Sequence, residues 1–101
     1  MRITLLFLLP LAVYAQSDAG IAQGRAAFRG NCAFCHGLNA QGGRGPNLVS
    51  APLHHGDTDS DLKNSIKNGI PGTPMPAFSG FGDDELDHLV KFLRSLSGAA
   101  A

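Results

Sequence analysis

The clearest pattern in the sequence is a stripe of apolar residues near its carboxyl end. Leucine or valine recurs every three or four positions, the spacing of one face of an α-helix; these residues are Leu86, Leu89, Val90, Leu93 and Leu96. Acidic residues at 83–85 precede the stripe, where they favour a helix N-terminus, and Gly98 follows it. The pattern predicts a helix over 83–96, with Gly82 at its cap and Phe92 bordering the stripe.

A weaker helical pattern predicts an earlier helix over 19–31, capped by Ser17 or Asp18. Ile21, Gly24 and Phe28 would share one face of this helix. Glycine costs about 1 kcal/mol of helix propensity relative to alanine. A glycine on the apolar face therefore indicates that another backbone comes close there.

A third helix is predicted over 60–68, because Leu62 and Ile66 lie one turn apart and Asp59 or Ser60 can cap the first turn. No segment alternates apolar and polar residues in the manner of a strand. We therefore expect an all-α fold of three main helices. The long loops between them, rich in glycine and proline, need something to wrap around.

The amino-terminal segment 1–15 has the pattern of a secretory signal peptide. Arg2 gives a positive start, an apolar run covers 3–13, and small residues precede the expected cleavage after Ala15. The run is too short for a membrane-spanning helix, which needs roughly 20 apolar residues. We expect a signal peptide at 1–15, a mature domain at 16–101 and export to the periplasm.

The length and the charge of the chain exclude further classes of function. The chain has 101 residues with eight basic and eight acidic side chains, which allows one domain and gives no electrostatic reason to expect a nucleic-acid partner. Cleavage would remove Arg2 and leave a formal net charge of −1. It would also remove Tyr14 and leave few large side chains for a core. We expect a crosslink, a metal or a cofactor to complete that core.

Residues 32–36 read Cys-Ala-Phe-Cys-His, the C-x-x-C-H pattern of covalent haem c attachment. The thiols of Cys32 and Cys35, one helical turn apart, can reach the two vinyl groups on one edge of the porphyrin. The next residue, His36, then presents its imidazole to the iron. Export agrees with this interpretation, because haem c is attached on the far side of the membrane.

Three other interpretations use the same residues. A structural zinc site needs four ligands, and only Cys32, Cys35 and His36 cluster in the sequence. A thioredoxin-like thiol pair needs a βαβ setting that the helical patterns do not provide. A plain disulfide suits an exported protein, although the short loop that it would close would stabilise little.

Met75 is the strongest candidate for the second axial ligand of the iron. The sequence has two methionines, and Met1 leaves with the signal peptide. Met75 lies between two prolines, whose fixed φ angles hold the loop extended. The alternative role for Met75 is to fill a gap in the core. The alternative ligands are His54 and His55, which are adjacent in a loop.

Several short motifs follow one another along the mature chain. They are Gly24-x-x-x-Phe28, Cys32-x-x-Cys35-His36, Gly45-Pro46-Asn47-Leu48, Thr73-Pro74-Met75-Pro76 and Leu89 with Phe92-Leu93. In this order they resemble a small bacterial class I cytochrome c with one haem, over essentially the whole mature chain. Phe92 stands where that family often has tyrosine, and Gly82 stands where it usually has a serine-type cap.

The resemblance implies a role for each matching residue. Cys32 and Cys35 would form the thioether bonds, and His36 and Met75 would bind the iron. Pro46 would accept a hydrogen bond from the His36 ring and so orient it.

The resemblance also implies how the chain packs. Gly24 and Phe28 would cross the last helix near Leu89 and Phe92. The residues expected to pack against the haem are Leu48, Ile66, Phe78 and Leu93. Arg44 could pair with a haem propionate.

The function implied is one-electron transfer in the periplasm, without catalysis, between redox protein partners such as a dehydrogenase, an oxidase or a respiratory complex. The exposed haem edge, framed by Ala33, Phe34, Gly37 and the 74–76 loop, would be the docking face. A net charge near zero predicts weak electrostatic steering. Three alternatives stay open: a cytochrome subunit of a periplasmic dehydrogenase, a sensor or peroxidase with five-coordinate haem, and a thiol oxidoreductase.

Overall fold

The computed structural model describes residues 8–50, 53 and 55–97, the first eleven of them by backbone alone. Helix α1 spans Leu8–Asn31, α2 spans Ala33–His36, α3 spans Asp59–Asn68 and α4 spans Asp83–Ser97. These described residues contain no strand, as the sequence predicts. The start of the predicted signal peptide at 1–7, the loop residue His54 and the tail at 98–101 lie outside the described part.

Helix α4 confirms the strongest sequence pattern and extends one residue beyond it, to Ser97. Its buried residues are Leu86, Leu89, Val90, Phe92 and Leu93. Phe92 does more than border the stripe, since it is only 1% exposed. The Glu85 carboxylate accepts a hydrogen bond from the Gly82 backbone N–H at 3.0 Å, which satisfies one free amide at the start of the helix.

Helix α1 differs from the prediction at its beginning. It starts at Leu8 rather than near residue 19, so the helix runs through Ser17 and Asp18, which we expected to cap it. The predicted end at Asn31 is correct. The sequence did not indicate α2, because a helix of four residues leaves no periodic pattern.

Helix α3 has the predicted extent to within one residue, but Thr58 caps it rather than Asp59 or Ser60. The Thr58 hydroxyl accepts a hydrogen bond from the Asp61 N–H at 3.0 Å, and the Asp61 carboxylate accepts one from the Thr58 N–H at 3.4 Å. This reciprocal arrangement is a capping box.

The core forms where α1 crosses α4. The Phe28 and Phe92 rings pack with their centroids 5.4 Å apart and their planes tilted by 52°. A Cβ atom on Gly24 would lie 2.6 Å from the His88 carbonyl carbon and 2.9 Å from Cβ of Phe92. The expectation that a backbone comes close to Gly24, and that α1 crosses the last helix near Phe92, is therefore confirmed.

The long loops are tied to the helices by backbone hydrogen bonds. Gly45 donates its N–H to the carbonyl oxygen of Cys35 at 2.7 Å, which joins the first loop to α2. Within that loop, the fully buried Ala40 has a φ of 60° and its carbonyl oxygen accepts a bond from the Leu48 N–H at 2.9 Å. Phe78 donates its N–H to the carbonyl oxygen of Ile66 at 2.9 Å, which joins the second loop to α3. Both loops are thus held against the helices that precede them.

Candidate functional site

A cavity of about 1150 Å³ lies between the two loops and is bounded by α3 and α4. This volume lies just above the roughly 300–1,000 Å³ typical of small-molecule sites. All five residues to which the sequence gives a cofactor-binding role line it: Cys32, Cys35, His36, Pro46 and Met75. So do the four residues expected to pack against a haem: Leu48, Ile66, Phe78 and Leu93.

The two cysteines line the cavity from neighbouring positions. Cys32 joins α1 to α2, and Cys35 lies within α2. The Cys35 and His36 amides donate to the carbonyl oxygen of Cys32 at 3.2 and 3.0 Å, which places Cys35 and His36 about one turn after Cys32. Both thiols are half-buried and free of a disulfide. Burial raises the pKa of the Cys32 thiol to about 11. Reactive thiols have lowered pKa values, whereas burial shifts the pKa of this thiol in the opposite direction.

His36 is buried, and a hydrogen bond holds its ring. The Nδ1 atom lies 2.9 Å from the Pro46 carbonyl oxygen. A carbonyl oxygen only accepts hydrogen bonds, so Nδ1 is the donor. In the neutral ring, Nε2 is then the nitrogen with a free lone pair, as metal-binding histidines require.

Gly45 makes this bond possible, and the sequence analysis gave it no role. A Cβ atom at Gly45 would lie 2.9 Å from Cε1 and 3.0 Å from Nδ1 of His36. These separations are shorter than van der Waals contact, so a side chain there would push the ring away. The Gly-Pro pair in the sequence was the available signal: glycine admits the ring, and the next residue supplies the acceptor.

The Met75 loop is held by its own hydrogen bonds as well as by its prolines. The Thr73 hydroxyl donates to the Ile70 carbonyl oxygen at 2.7 Å and accepts from the Met75 N–H at 3.2 Å. The Ile70 N–H donates in turn to the Met75 carbonyl oxygen at 3.3 Å. Gly69 starts the loop with a φ of 74°, a backbone conformation that glycine adopts without strain.

Position in the structure gives His55, an alternative ligand, the same access to the cavity as Met75. His55 lines the same cavity as Met75 and is exposed, while His54 lies outside the described residues. Within the described part of the chain, no three His, Cys, Asp or Glu side chains come together to hold a metal ion.

Charged side chains at the rim of the cavity include Arg44, Asp57 and Arg94. Arg44 stacks its guanidinium over the Phe34 ring, 4.6 Å from the centroid. Arg94 donates to the Asp57 carbonyl oxygen at 2.7 Å and forms a 2.8 Å ion pair with Asp59. The sequence did not single out Arg94, because both of its partners are distant from it along the chain.

The residues present fit a haem c. The cavity offers two free thiols, an imidazole with an available nitrogen, a thioether and apolar walls. Imidazole and thioether are the axial ligands of cytochromes c, and paired thiols are what covalent attachment consumes. Helices and loops around such a site define a c-type cytochrome.

Comparison with known proteins identifies the family. Residues 19–93 match the family described as cytochrome c oxidase, cbb3-type, subunit III, and the chain belongs to this family of c-type cytochrome domains. Its cofactor is accordingly covalently bound haem c with its iron. A c-type cytochrome domain of this kind carries electrons and is not itself catalytic, even where it forms one part of a longer protein.

Two curated relatives illustrate the similarity. The chain is 35% identical over 92 residues to the Cbb3-type cytochrome c oxidase subunit CcoP of Rubrivivax gelatinosus, covering 89% of this chain and 30% of that protein. It is 37% identical over 86 residues to the dihydro-heme d1 dehydrogenase of Pseudomonas aeruginosa, covering 84% of this chain and 17% of that protein. The chain thus spans a third or less of the length of these relatives.

Solved structures support the same fold. Cytochrome CL from Methylophaga aminisulfidivorans superposes with a TM-score of 0.69 and 27% identity, covering 87% of this chain and 61% of that one. The c-type cytochrome NirC superposes with a TM-score of 0.58 and 32% identity, covering 79% of this chain and 92% of that one. The all-α cytochrome c fold expected from the sequence is confirmed.

Proposed function

We propose that this chain is an exported carrier of single electrons. Cys32 and Cys35 attach one haem c, and His36 and Met75 bind its iron. The observation that carries the proposal is the hydrogen bond between Nδ1 of His36 and the Pro46 carbonyl oxygen, at 2.9 Å. It fixes the ring and leaves Nε2 as the nitrogen available to a metal, in a cavity that Met75 also lines.

When bound, haem c supplies an iron that alternates between the ferrous and ferric states. The chain's own contribution is to keep both ligands still while the charge changes. Pro46 orients His36, and the Thr73 hydroxyl holds the loop that carries Met75. A thioether ligand raises the reduction potential of the iron relative to harder axial ligands. Apolar walls act in the same direction, because they disfavour the extra charge of the ferric state.

Binding of both His36 and Met75 would leave no coordination position for a substrate. Six-coordinate iron would distinguish the carrier from a sensor or peroxidase with five-coordinate haem, in which Met75 would not bind the iron.

Replacement of Met75 tests this assignment. In Met75→Ala the haem should stay attached, the reduction potential should fall by on the order of 0.2 V, and the ferrous form should bind CO at neutral pH. Axial ligands set haem potentials over a span of roughly 0.8 V, so a change of this size is expected. The measurements are a redox titration and a CO difference spectrum.

His55→Ala is the matched control, since His55 lines the same cavity. It should keep the wild-type potential and bind no CO. An unchanged potential in Met75→Ala would refute Met75 as ligand, and a lowered potential in His55→Ala would transfer the role to that histidine.

Haem attachment is tested on the purified periplasmic protein by a reduced-minus-oxidised spectrum and a pyridine haemochrome assay. Both should show one haem c per chain. His36→Ala should give little holoprotein, whereas the wild type should be coloured. A colourless, folded wild-type protein would contradict the whole proposal.

We infer export from the sequence pattern of segment 1–15. No helix among the described residues is both long and apolar enough to cross a bilayer. Amino-terminal sequencing of the periplasmic protein should begin at Gln16. An uncleaved product that stays in the membrane fraction would favour an anchored form.

The second candidate is a role as the cytochrome module of a larger redox complex. It is favoured by the relatives, of which this chain matches only a part: a cbb3-type oxidase subunit and a dihydro-heme d1 dehydrogenase. Size-exclusion chromatography of the native periplasmic fraction distinguishes the two. A free carrier elutes near its own mass, and a module elutes with its partner.

A further inference from the structure

Gly69 is buried where the loop that carries Met75 leaves α3. A Cβ atom added to it would lie 3.0 Å from the Met75 carbonyl oxygen, 3.0 Å from the Ala77 nitrogen and 3.1 Å from the Pro76 carbonyl carbon. All three atoms belong to the backbone and cannot swing aside as the end of a side chain can. The beginning and the end of the loop therefore touch at Gly69, and only a residue without a side chain permits this contact.

The backbone conformation of Gly69 also requires glycine. Its φ is 74° and its ψ is −178°, a combination that is essentially restricted to glycine. Many helices end in a glycine of positive φ, but that residue normally adopts the left-handed conformation, with a ψ of about +47°. The different ψ of Gly69 indicates that the end of α3 alone does not account for its conformation.

Two backbone hydrogen bonds close the loop beside this contact. The Ile70 N–H donates to the Met75 carbonyl oxygen at 3.3 Å, and the Phe78 N–H donates to the Ile66 carbonyl oxygen at 2.9 Å. We call residues 69–70 together with residues 75–78 the loop neck. Met75 is thus part of the neck through its backbone, while its side chain lines the cavity.

We propose that Gly69 is a positioning residue for Met75. By letting the two sides of the loop neck approach to backbone contact, it sets where the Met75 sulfur stands relative to the iron. This rests on the proposed function, in which Met75 binds that iron. Ile70 and Met75 are among the described residues that line the cavity and Gly69 is not, so Gly69 acts through the loop.

The displacement that a side chain would cause is small but sufficient. Contacts of 3.0 Å are shorter than the roughly 3.5–4.0 Å optimum between carbon atoms, so a Cβ at position 69 would spread the neck by a few tenths of an ångström. Metal–ligand distances are specified to within about 0.2 Å. A shift of the Met75 backbone by more than this would weaken the bond from its sulfur to the iron.

Competition with imidazole measures how firmly Met75 is held. Added imidazole would have to displace Met75 from the ferric iron of the holoprotein, so its affinity rises as the Met75 bond weakens. Gly69→Ala should bind imidazole about tenfold more tightly than the wild type, and its reduction potential should be lower. Wild-type affinity and potential in Gly69→Ala would overturn the proposal.

Gly72→Ala is the matched control in the same loop. Gly72 also has a positive φ, 83°, but it is exposed, and a Cβ there meets nothing within 4 Å. The substitution therefore reproduces the backbone strain without the contact at the neck. Gly72→Ala should bind imidazole within about twofold of the wild type, although strain lowers its stability. Equal gains in affinity for both variants would show that strain anywhere in the loop suffices, and would overturn the role of the neck.

Met75→Ala distinguishes failure of this inference from failure of the proposed function. If Met75 binds the iron, its removal should itself raise the affinity for imidazole, and adding Gly69→Ala should then change little, because no sulfur is left to position. A gain that persists undiminished in the double variant would overturn the inference. Wild-type affinity in Met75→Ala alone would instead defeat Met75 as the ligand, and with it the proposed function.

Amide hydrogen exchange tests the loop neck without a substitution at Gly69, and so applies even where Gly69→Ala gives no holoprotein. In Met75→Ala holoprotein the Ile70 and Phe78 amides should keep their protection to within about threefold of the wild type, relative to the amides of α4. This is expected because backbone contact, rather than the bond to iron, closes the neck. Loss of protection at both amides would show that the iron bond shapes the loop, and would overturn the proposal.

Discussion

Gly24 lies where α1 meets the backbone of α4. A Cβ atom added there would come within 2.9 Å of Cβ of Phe92 and closer still to the His88 carbonyl group. A carbonyl group in a helix cannot turn aside without breaking its hydrogen bond. The two helices would therefore have to separate, and the contact between the Phe28 and Phe92 rings would loosen.

We expect Gly24→Ala to lower the free energy of unfolding by about 2–4 kcal/mol, since overpacking a rigid contact typically costs about 1–3 kcal/mol and sometimes more. Denaturant unfolding of the holoprotein measures the effect. Gly30→Ala is the control in the same helix, because a Cβ at Gly30 meets nothing within 4 Å. It should be neutral or stabilise by up to about 1 kcal/mol. Equal stability of both variants would contradict the close approach.

Single residues also show where the sequence was sufficient for the site and where it was not. The C-x-x-C-H pattern and Met75 could be proposed for the candidate site from the sequence, because each chemistry needs a particular residue type at a particular spacing, and these residues line one cavity. Gly45 could not be assigned a role, since its value lies in the 2.9 Å to the His36 ring, which spacing does not reveal. The same holds for Arg94, which pairs with Asp57 and Asp59 across the chain.

Among the elements, α3 depends most on its first turn. It has only ten residues and two buried apolar side chains, Leu62 and Ile66. Isolated helices of this length are marginal in water. The Thr58 capping box therefore adds to what these two side chains contribute, whereas the exposed ion pair of Arg94 with Asp59 adds little.

Thr58→Ala should reduce the free energy of unfolding by about 1 kcal/mol, the usual cost of losing a side-chain N-cap. Loss of the cap should let α3, which forms one wall of the cavity, open locally. The rate of amide hydrogen exchange should therefore rise over 59–68 before it rises in α4. Ser60→Ala, an exposed position in the same turn, should change stability by less than about 0.5 kcal/mol. A Thr58→Ala protein with wild-type stability would show that the capping box does not stabilise α3.

Helix boundaries were predictable where a periodic pattern and a cap coincide. Helix α4 satisfies both conditions and was predicted to within one residue. For α3, Thr58, Asp59 and Ser60 are three consecutive residues that can all cap, and only the structure distinguishes them. The start of α1 was missed because the segment before residue 16 has the composition of a signal peptide, which outweighs its helical propensity.

For the molecule as a whole, the protein core is small beside the space it surrounds. The described residues include nine buried apolar side chains. The cavity of about 1150 Å³ is lined by several further apolar residues, among them Leu48, Met75 and Phe78, which would be exposed to water without a cofactor. The haem therefore has to supply a large part of the buried contact.

We expect the haem-free Cys32→Ser, Cys35→Ser double variant to lose the cooperative thermal transition of the holoprotein. Apolar walls with no cofactor between them would bury too little surface to offset the conformational entropy of the loops. Circular dichroism melting of both proteins measures this. A sharp transition in the haem-free variant would show that the polypeptide completes its own core.

The meeting of α1 with α4 has a consequence for the order of events during synthesis. The first helix meets its main packing partner only when the last one has been made, because α2, α3 and both long loops lie between them in the sequence. A nascent polypeptide of this kind stays open until translation is nearly finished. An open chain is the form that the export proposed above requires, and it would leave both thiols accessible for haem attachment.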